Sequence, residues 1–185
     1  MMPIPKTEDR GNPVLSIRIF NTHILRKGMD IVKEIKDMLA LPNQHAKERG
    51  LERMNDVFEY GYGYDLKKED IVEAVKILLD AALREQDPVM KQRILRTIFK
   101  AVVYRPAKSM ISGIDWDSLA ASFSSLDKWQ LAYSIVILGL TGQKQYIPIL
   151  EPYTLHTDPD IRERAIDAIK KINSMTVHTP DKKEE

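Results

Sequence analysis

Apolar residues recur at steps of three and four along most of this chain, which is the spacing of one face of an α-helix. Eight segments share this pattern, and we predict one helix of roughly 10–18 residues from each. Their apolar positions are Met29, Ile31, Val32, Ile35, Met38 and Leu39; Leu51, Met54, Val57 and Phe58; Ile71, Val72, Val75, Leu78, Leu79 and Ala82; Ile94, Leu95, Ile98, Phe99, Val102 and Val103; Leu119, Ala120 and Phe123; Leu131, Ala132, Ile135, Val136 and Leu138; Tyr146, Ile147, Ile149 and Leu150; and Ile161, Ala165, Ile166, Ile169 and Ile172. The pattern predicts an all-α fold.

Three helix starts carry strong capping signals. Asp87 and Asp158 each precede a proline. The aspartate can accept hydrogen bonds from free backbone N–H groups, and proline is favoured at the first helical position. Asp127 and Gln130 have the spacing of a capping box. We therefore expect helices to begin directly after residues 87, 127 and 158.

Three of the predicted helices begin with the same sequence pattern, which indicates an internal repeat. In each, a capping residue is followed four positions later by a base and six positions later by an arginine. The capping residue and the arginine are Asn43 and Arg49, Asp87 and Arg93, and Asp158 and Arg164. A weaker copy starts at Ser125. The starts at residues 43, 87, 125 and 158 leave room for one two-helix unit each.

These openings resemble the HEAT and HEAT-like (armadillo-type) helical repeats. In that family each unit is a pair of antiparallel helices, and the second helix opens with an aspartate followed six residues later by an arginine. The segment from Gly139 to Gly142, which leads into Tyr146 to Leu150, is similar to the family's turn between units. The resemblance covers residues 29–173 and implies a short α-solenoid of about four helix pairs.

In the family the aspartate and the arginine join adjacent repeats, so the match implies a structural role and says nothing about catalysis. We therefore expect Arg164 to be partly buried and hydrogen-bonded to a neighbouring unit. Arg162, two residues earlier, is expected to point outward. Loss of Arg164 should then destabilise the stack more than loss of Arg162.

The two ends of the chain differ from the repeat domain at 29–173. Residues 1–28 contain three prolines and the alternating run from Val14 to Phe20. We expect this segment to be an extension that caps one end of the stack. Residues 174–185 have little apolar surface to bury, so a flexible polar tail is expected there.

Composition narrows the classes of protein. A hydrophobic share of 43% and a charged share of 30% suit a folded globular domain. Twenty-eight basic and 27 acidic residues leave a formal net charge of +1, so the whole chain has no electrostatic attraction for nucleic acid or anionic lipid. The absence of cysteine excludes disulfides and thiolate metal sites. No apolar run approaches the roughly 20 residues of a membrane span. With no signal-peptide pattern at the N-terminus, we expect a cytoplasmic protein.

No set of residues has the spacing of a catalytic or cofactor-binding motif. A metal site needs at least three convergent ligands, and the four histidines stand far apart without an acidic cluster beside them: His23, His45, His156 and His178. A glycine pattern begins at Gly61 and Gly63, but Leu66 occupies the third position required for dinucleotide binding. We therefore expect no enzymatic activity, no metal and no cofactor.

The helix after Asp87 is the first candidate for a binding surface. In a HEAT-like stack the second helices line the concave side, so Lys91, Arg96 and Lys100 would face a partner there. Tyr104 would add an anchor, because tyrosine and arginine are enriched among binding hot spots. The alternative is that every surface helix needs a polar face and this one happens to be basic.

A cluster of tyrosines alternating with glycines is the second candidate. It comprises Tyr60, Tyr62 and Tyr64. These rings either form an exposed contact loop or pack under the next unit, and we favour packing. Trp129 lies in the first turn of an apolar helix, so we assign it to the core. For Trp116 the surrounding sequence favours neither burial nor exposure.

Two functions are compatible with these features. The leading hypothesis is a non-enzymatic protein-binding module, an adaptor or an inhibitor such as a bacterial toxin-immunity protein, whose partner has an acidic surface. The alternative is a nucleic-acid-binding HEAT-like protein, since some members resemble DNA glycosylases. Those place Trp and Asp in a basic groove, and Trp116 and Asp117 are the candidates here. The net charge of +1 argues against this alternative.

Overall fold

The computed structural model describes residues 30–61, 64, 66–105, 111 and 113–176. In this part of the chain all regular structure is helical, which confirms the predicted all-α class. Eight α-helices have described bounds: α1 Ile31–Leu39, α2 Gln44–Tyr60, α3 Lys68–Arg84, α4 Pro88–Tyr104, α5 Asp117–Ala121, α6 Lys128–Thr141, α7 Ile147–Leu150 and α8 Pro159–Thr176. Short 3₁₀ turns at Phe123–Ser125, Lys144–Tyr146 and Glu151–Leu155 accompany the shorter helices.

Side-chain caps begin four of the five long helices, α2, α4, α6 and α8. The Asp87 carboxylate accepts hydrogen bonds from two backbone N–H groups in the first turn of α4, at 2.8 and 3.0 Å. Asp127 and Gln130 form the predicted capping box at the start of α6. Asn43 caps α2 with one bond of 3.0 Å, and Asp158 caps α8 with bonds of 3.0 and 3.5 Å. The predicted starts after residues 87, 127 and 158 are confirmed.

The same four helices pack side by side in the order α2, α4, α6, α8, and we call them the long-helix layer. Contacts join their first turns. The Gln44 side chain donates to the Asp87 carboxylate at 3.0 Å, and the Gln130 side chain donates to the Pro88 carbonyl at 2.9 Å. Lys128 forms an ion pair of 2.6 Å with the capping carboxylate of α8. Because their first turns lie together, the four helices of the long-helix layer run parallel.

Helices α1 and α3 pack against one another, and α3 packs against α4 of the layer. The apolar stripes predicted from sequence meet in one hydrophobic core, with Ile35, Phe58, Leu78 and Ile98 completely buried. Trp116 belongs to this core. Its side chain is 0% exposed, and its indole N–H donates to the Ile111 carbonyl at 3.0 Å.

Two predictions about individual segments are wrong. Trp129, assigned to the core, is 49% exposed on the surface of α6. Helices α5 and α7 have only five and four residues, shorter than expected. In α7 the physical reason is Pro152, which has no N–H to donate to the carbonyl of Pro148 and so interrupts the α-helical pattern.

The contacts and exposure of three side chains on α8 also differ from expectation. Arg164 donates to Asp160 on its own helix at 3.1 Å, so it does not join two units as predicted. Arg162 donates to the His156 carbonyl at 2.7 Å and is not free in solvent. Ile166, expected among the apolar positions that pack inward, is exposed. Helix α8 is the last described helix of the layer, and it packs against α6, α7 and the 3₁₀ turn at Glu151–Leu155.

Helices α6 and α8 approach closely at Gly139. A Cβ atom added to Gly139 would lie 2.7 Å from the Cα atom of Ala168, which is backbone of the neighbouring helix. The sequence placed Gly139 in a turn, whereas the structure places it inside α6. The chain turns at Gly142 instead, in the left-handed conformation with φ of 67°.

Gly139→Ala is expected to lower the free energy of unfolding by about 1–3 kcal/mol, because the backbone of α8 must move to accept the methyl group. Urea unfolding followed by circular dichroism measures this loss. Gly50→Ala is the control. The three atoms nearest to its methyl group all belong to the Met38 side chain, which must change rotamer, but none of them is backbone, and alanine favours the helix, so a smaller loss is expected. Equal losses in the two variants would contradict the close approach at Gly139.

Candidate functional site

The basic helix α4 lies beside acidic side chains of α2. Arg93 forms an ion pair with Glu52 at 3.2 Å, and its Nε atom lies 3.6 Å from Glu48. Lys100 forms an ion pair with Glu59, and the two side chains are only 16% and 21% exposed. Lys100, which we expected to attract an acidic partner, is therefore neutralised by a carboxylate within the chain.

The pair between Lys100 and Glu59 shifts the pKa of both groups. The hydrogen bond from Lys100 lowers the pKa of the Glu59 carboxyl, and the same bond raises the pKa of the Lys100 ammonium. The Lys100 Nζ atom also lies 4.8 Å from the centroid of the Tyr104 ring, a distance typical of a cation–π contact. Lys100 thus links α4 to α2, in addition to its contact with Tyr104.

Lys91 lies on the opposite side of α4 from Lys100. It lines a cleft of about 130 Å³ between α3, α4 and α5, together with Ala82 and Leu119. Nine residues separate it from Lys100, which is about two and a half helical turns. The expectation that Lys91, Arg96 and Lys100 share one face is therefore wrong. Arg96 is exposed and has no ion-pair partner in the described part of the chain.

The tyrosines of the cluster at 60–64 do not share one environment. The Tyr64 hydroxyl donates to Glu34 at 2.5 Å and accepts a hydrogen bond of 2.7 Å from Arg53, which joins the loop to α1 and α2. Burial and the bond to Glu34 raise the pKa of Tyr64. Tyr60 is largely exposed at the end of α2. Tyr62 lies outside the described residues.

The three repeat arginines have three different settings. Arg93 joins α4 to α2, and Arg164 is paired on its own helix. Arg49 is exposed, and its side chain forms no hydrogen bond with other described residues. The capping residues behave alike, since Asn43, Asp87 and Asp158 all bind the first turn of their helices. The shared sequence pattern therefore specifies the start of a helix. It does not specify the same contact for the three arginines.

An apolar stripe that the sequence analysis missed runs along α6, and we call it the α6 stripe. Trp129, Tyr133, Val136 and Leu140 follow one another at steps of four, three and four on one side of the helix. Trp129 is half exposed and the other three are partly buried. Sequence periodicity could not find this stripe, because α6 is apolar on nearly every side and shows no separate polar face.

Neighbouring helices extend the α6 stripe on both sides. On α4, the Phe99 ring contacts the Tyr133 ring with centroids 5.4 Å apart, and Val89 in the first turn is 52% exposed. On the other side, a groove of about 330 Å³ lies between α6 and α8. Its lining residues are Val136, Gly139, Leu140, Arg164, Asp167, Ala168 and Lys171.

No family model, curated protein or solved structure matches this chain. Among the described helices, none has the length and the apolar composition that crossing a membrane requires. Within the described ranges, no three carboxylate or histidine side chains are grouped to bind a metal ion. His45 instead pairs with Glu48, and His156 accepts a hydrogen bond from the Asp158 backbone.

Trp116 and Asp117, the candidates for a glycosylase-like groove, both contact other residues of this chain. Trp116 is completely buried, so its ring has no free face on which a base could stack. Asp117 accepts hydrogen bonds from the Tyr146 hydroxyl at 2.9 Å and from the Gln145 side chain at 3.0 Å. Burial of the Tyr146 hydroxyl is the larger cause, and its hydrogen bond to Asp117 the second, of the rise in the pKa of Tyr146 to about 12.

Lys100→Met is expected to destabilise the protein at pH 7 and to have a smaller effect near pH 3. Lys100 lowers the pKa of Glu59, so the pair stabilises the fold above the ordinary glutamate pKa of about 4.3. That contribution is lost as the pH falls through the lowered value. Because the pKa of Lys100 is raised, its contribution is present below about pH 10.4 and lost above its own raised value.

Midpoints of urea unfolding at pH 3 and pH 7 measure this effect. Arg96→Met is the matched control on the same helix, because Arg96 is exposed and has no described ion-pair partner. Its midpoint should stay close to that of the wild-type chain at both pH values. A loss that is equally large at both pH values for Lys100→Met would contradict the role given to the ion pair.

Proposed function

We propose that this protein is a non-enzymatic protein-binding module, built as a short HEAT-like helical stack. The parallel order of the long-helix layer supports this architecture, because in a stack of two-helix units each second helix contacts the second helix of the next unit. Helices α1 and α3 cover one side of the layer. On the opposite side, no described helix packs against the layer, and we assign this side to the partner.

The observation that carries the proposal is the half exposure of Trp129 within the α6 stripe. The other tryptophan of the chain, Trp116, is completely buried, so the fold is able to enclose a residue of this size. Contiguous exposed apolar surface in a protein of this kind marks interaction sites. Tryptophan and tyrosine are also enriched among the residues that contribute most to binding.

The α6 stripe takes the place of the basic helix as the centre of the proposed interface. Interfaces have an apolar core and a polar rim. Arg96 and Tyr104, both exposed on α4, suit the rim. A small protein with such a face suits an adaptor or an inhibitor, including a toxin-immunity protein of the cytoplasm, because these roles need binding and no chemistry.

A nucleic-acid partner is disfavoured by the charges on the same side of the layer. Binding to phosphates requires several free bases, which release counterions on contact. Arg93, Lys100 and Lys128 are each paired with a carboxylate of this chain. A phosphate backbone would therefore have to displace existing ion pairs.

Trp129→Ser is expected to weaken partner binding by about 30-fold or more, the loss that corresponds to a hot spot of about 2 kcal/mol. The melting midpoint should stay nearly unchanged, because Trp129 contributes little to the core. Capture of partners from native lysate by the immobilised chain, followed by mass spectrometry and titration of the captured protein, measures the effect.

Leu155→Ser is the matched control for this experiment. Leu155 is an apolar residue that is 86% exposed, and it lies in the turn before α8, outside the α6 stripe. Binding by this variant should equal that of the wild-type chain. The proposed function is wrong if the wild-type chain captures no partner, or if all three chains capture the same partner equally.

A further inference from the structure

We propose that the α6 stripe binds one amphipathic helix of the partner protein, and that this helix carries acidic residues on both sides of its apolar face. The inference rests on the proposed protein-binding function and names the chemistry of the partner. Three features of the described residues lead to it: the length of the stripe, the groove between α6 and α8, and the charges on either side.

The length of the α6 stripe fits a short helix. Trp129 and Leu140 are eleven residues apart on α6, which corresponds to about 16 Å, or three turns of a partner helix. The steps of four, three and four along the stripe have the same period as the anchors of an amphipathic helix bound in a groove. Phe99 and Val89 widen the apolar surface toward α4.

The groove between α6 and α8 offers space for one anchor side chain. Two of its lining residues are small, Gly139 and Ala168, which lie against each other, and a volume of about 330 Å³ is open beside them. Val136 and Leu140, which belong to the α6 stripe, also line this groove. A leucine or phenylalanine of the partner helix would remove these apolar surfaces from water.

We infer the charge of the partner helix from the charged residues on the two sides of the α6 stripe. On α6 and α8, three carboxylates have a base of this chain as partner: Asp158 with Lys128 at 2.6 Å, Asp160 with Arg164 at 3.1 Å, and Asp167 with Lys170 at 3.3 Å. Glu163 on α8 is exposed and does not line the groove. Arg96 on α4 and Lys171 on α8 are exposed and have no ion-pair partner in the described ranges.

Arg96 precedes Phe99 by one turn, and Phe99 contacts Tyr133 of the stripe. Lys171 lines the groove on the other side. The stripe is therefore bordered by one uncompensated positive charge on each side. Acidic residues flanking the apolar face of a bound helix complement both charges, whereas a basic helix would be repelled.

A displayed library of helical peptides tests this inference with the full chain as bait. Each 16-residue peptide carries leucine or phenylalanine at positions i, i+4, i+7 and i+11, and its flanking positions are random. We expect the selected peptides to be enriched in glutamate and aspartate at the flanks. They should also blue-shift the fluorescence of Trp129, since Trp116 is already buried in the free protein.

Three variants of the chain sharpen the test. Trp129→Ser should abolish the selection. Arg96→Glu combined with Lys171→Glu should change the preferred flanks from acidic to basic, and should weaken binding of the acidic peptides at least tenfold. Lys36→Glu combined with Lys76→Glu is the matched double reversal, at exposed positions on α1 and α3, and should change neither result.

Other outcomes would overturn the inference. Selection of neutral or basic flanks, selection unaffected by Trp129→Ser, or no selection at all contradicts the acidic helix. The protein-binding function would survive these results if capture of a lysate partner still depends on Trp129. A dimer of this chain that Trp129→Ser dissociates would place a second copy on the stripe and also overturn the inference. Failure of both capture and selection would reject the two proposals together.

Discussion

The arrangement of the long helices depends on hydrogen bonds at their N-termini. A helix leaves its first backbone N–H groups without intrahelical partners, and in α2, α4, α6 and α8 a capping side chain satisfies some of them. Side chains of the first turns then contact the neighbouring helix. The start of each helix and its position beside the next are therefore determined at the same place, and a parallel layer follows.

This parallel order brings the acidic side of α2 against the basic side of α4. Arg93 and Lys100 find carboxylates on α2 that lie 41 positions earlier in the chain, Glu52 and Glu59. The equal offset shows that the two helices stay in register along their length. As a consequence, a helix that is strongly basic in sequence contributes a nearly neutral surface, and the charge that is left for a partner is concentrated at few positions.

At α6 the same order leaves an apolar side that the other described helices do not cover. Helix α6 lies between α4 and α8, and Gly139 allows α8 to approach it closely. Apolar residues therefore surround α6 on its buried sides, and the remaining side carries Trp129, Tyr133, Val136 and Leu140. Within the described ranges no helix covers this stripe, which is why the proposed function and the proposed helical partner both centre on it.

The sequence by itself determined the all-α class, the starts of α4, α6 and α8 and most of the core, because these depend on apolar spacing and on side-chain bonds to backbone groups within three residues. It did not determine which tryptophan is buried, since Trp116 and Trp129 both stand near helix starts. It also could not separate Arg93, which reaches α2, from Arg164, which does not leave its own helix. Only the tertiary structure decided these points, because burial and ion pairing depend on which helix lies opposite, and that neighbour is distant in the chain.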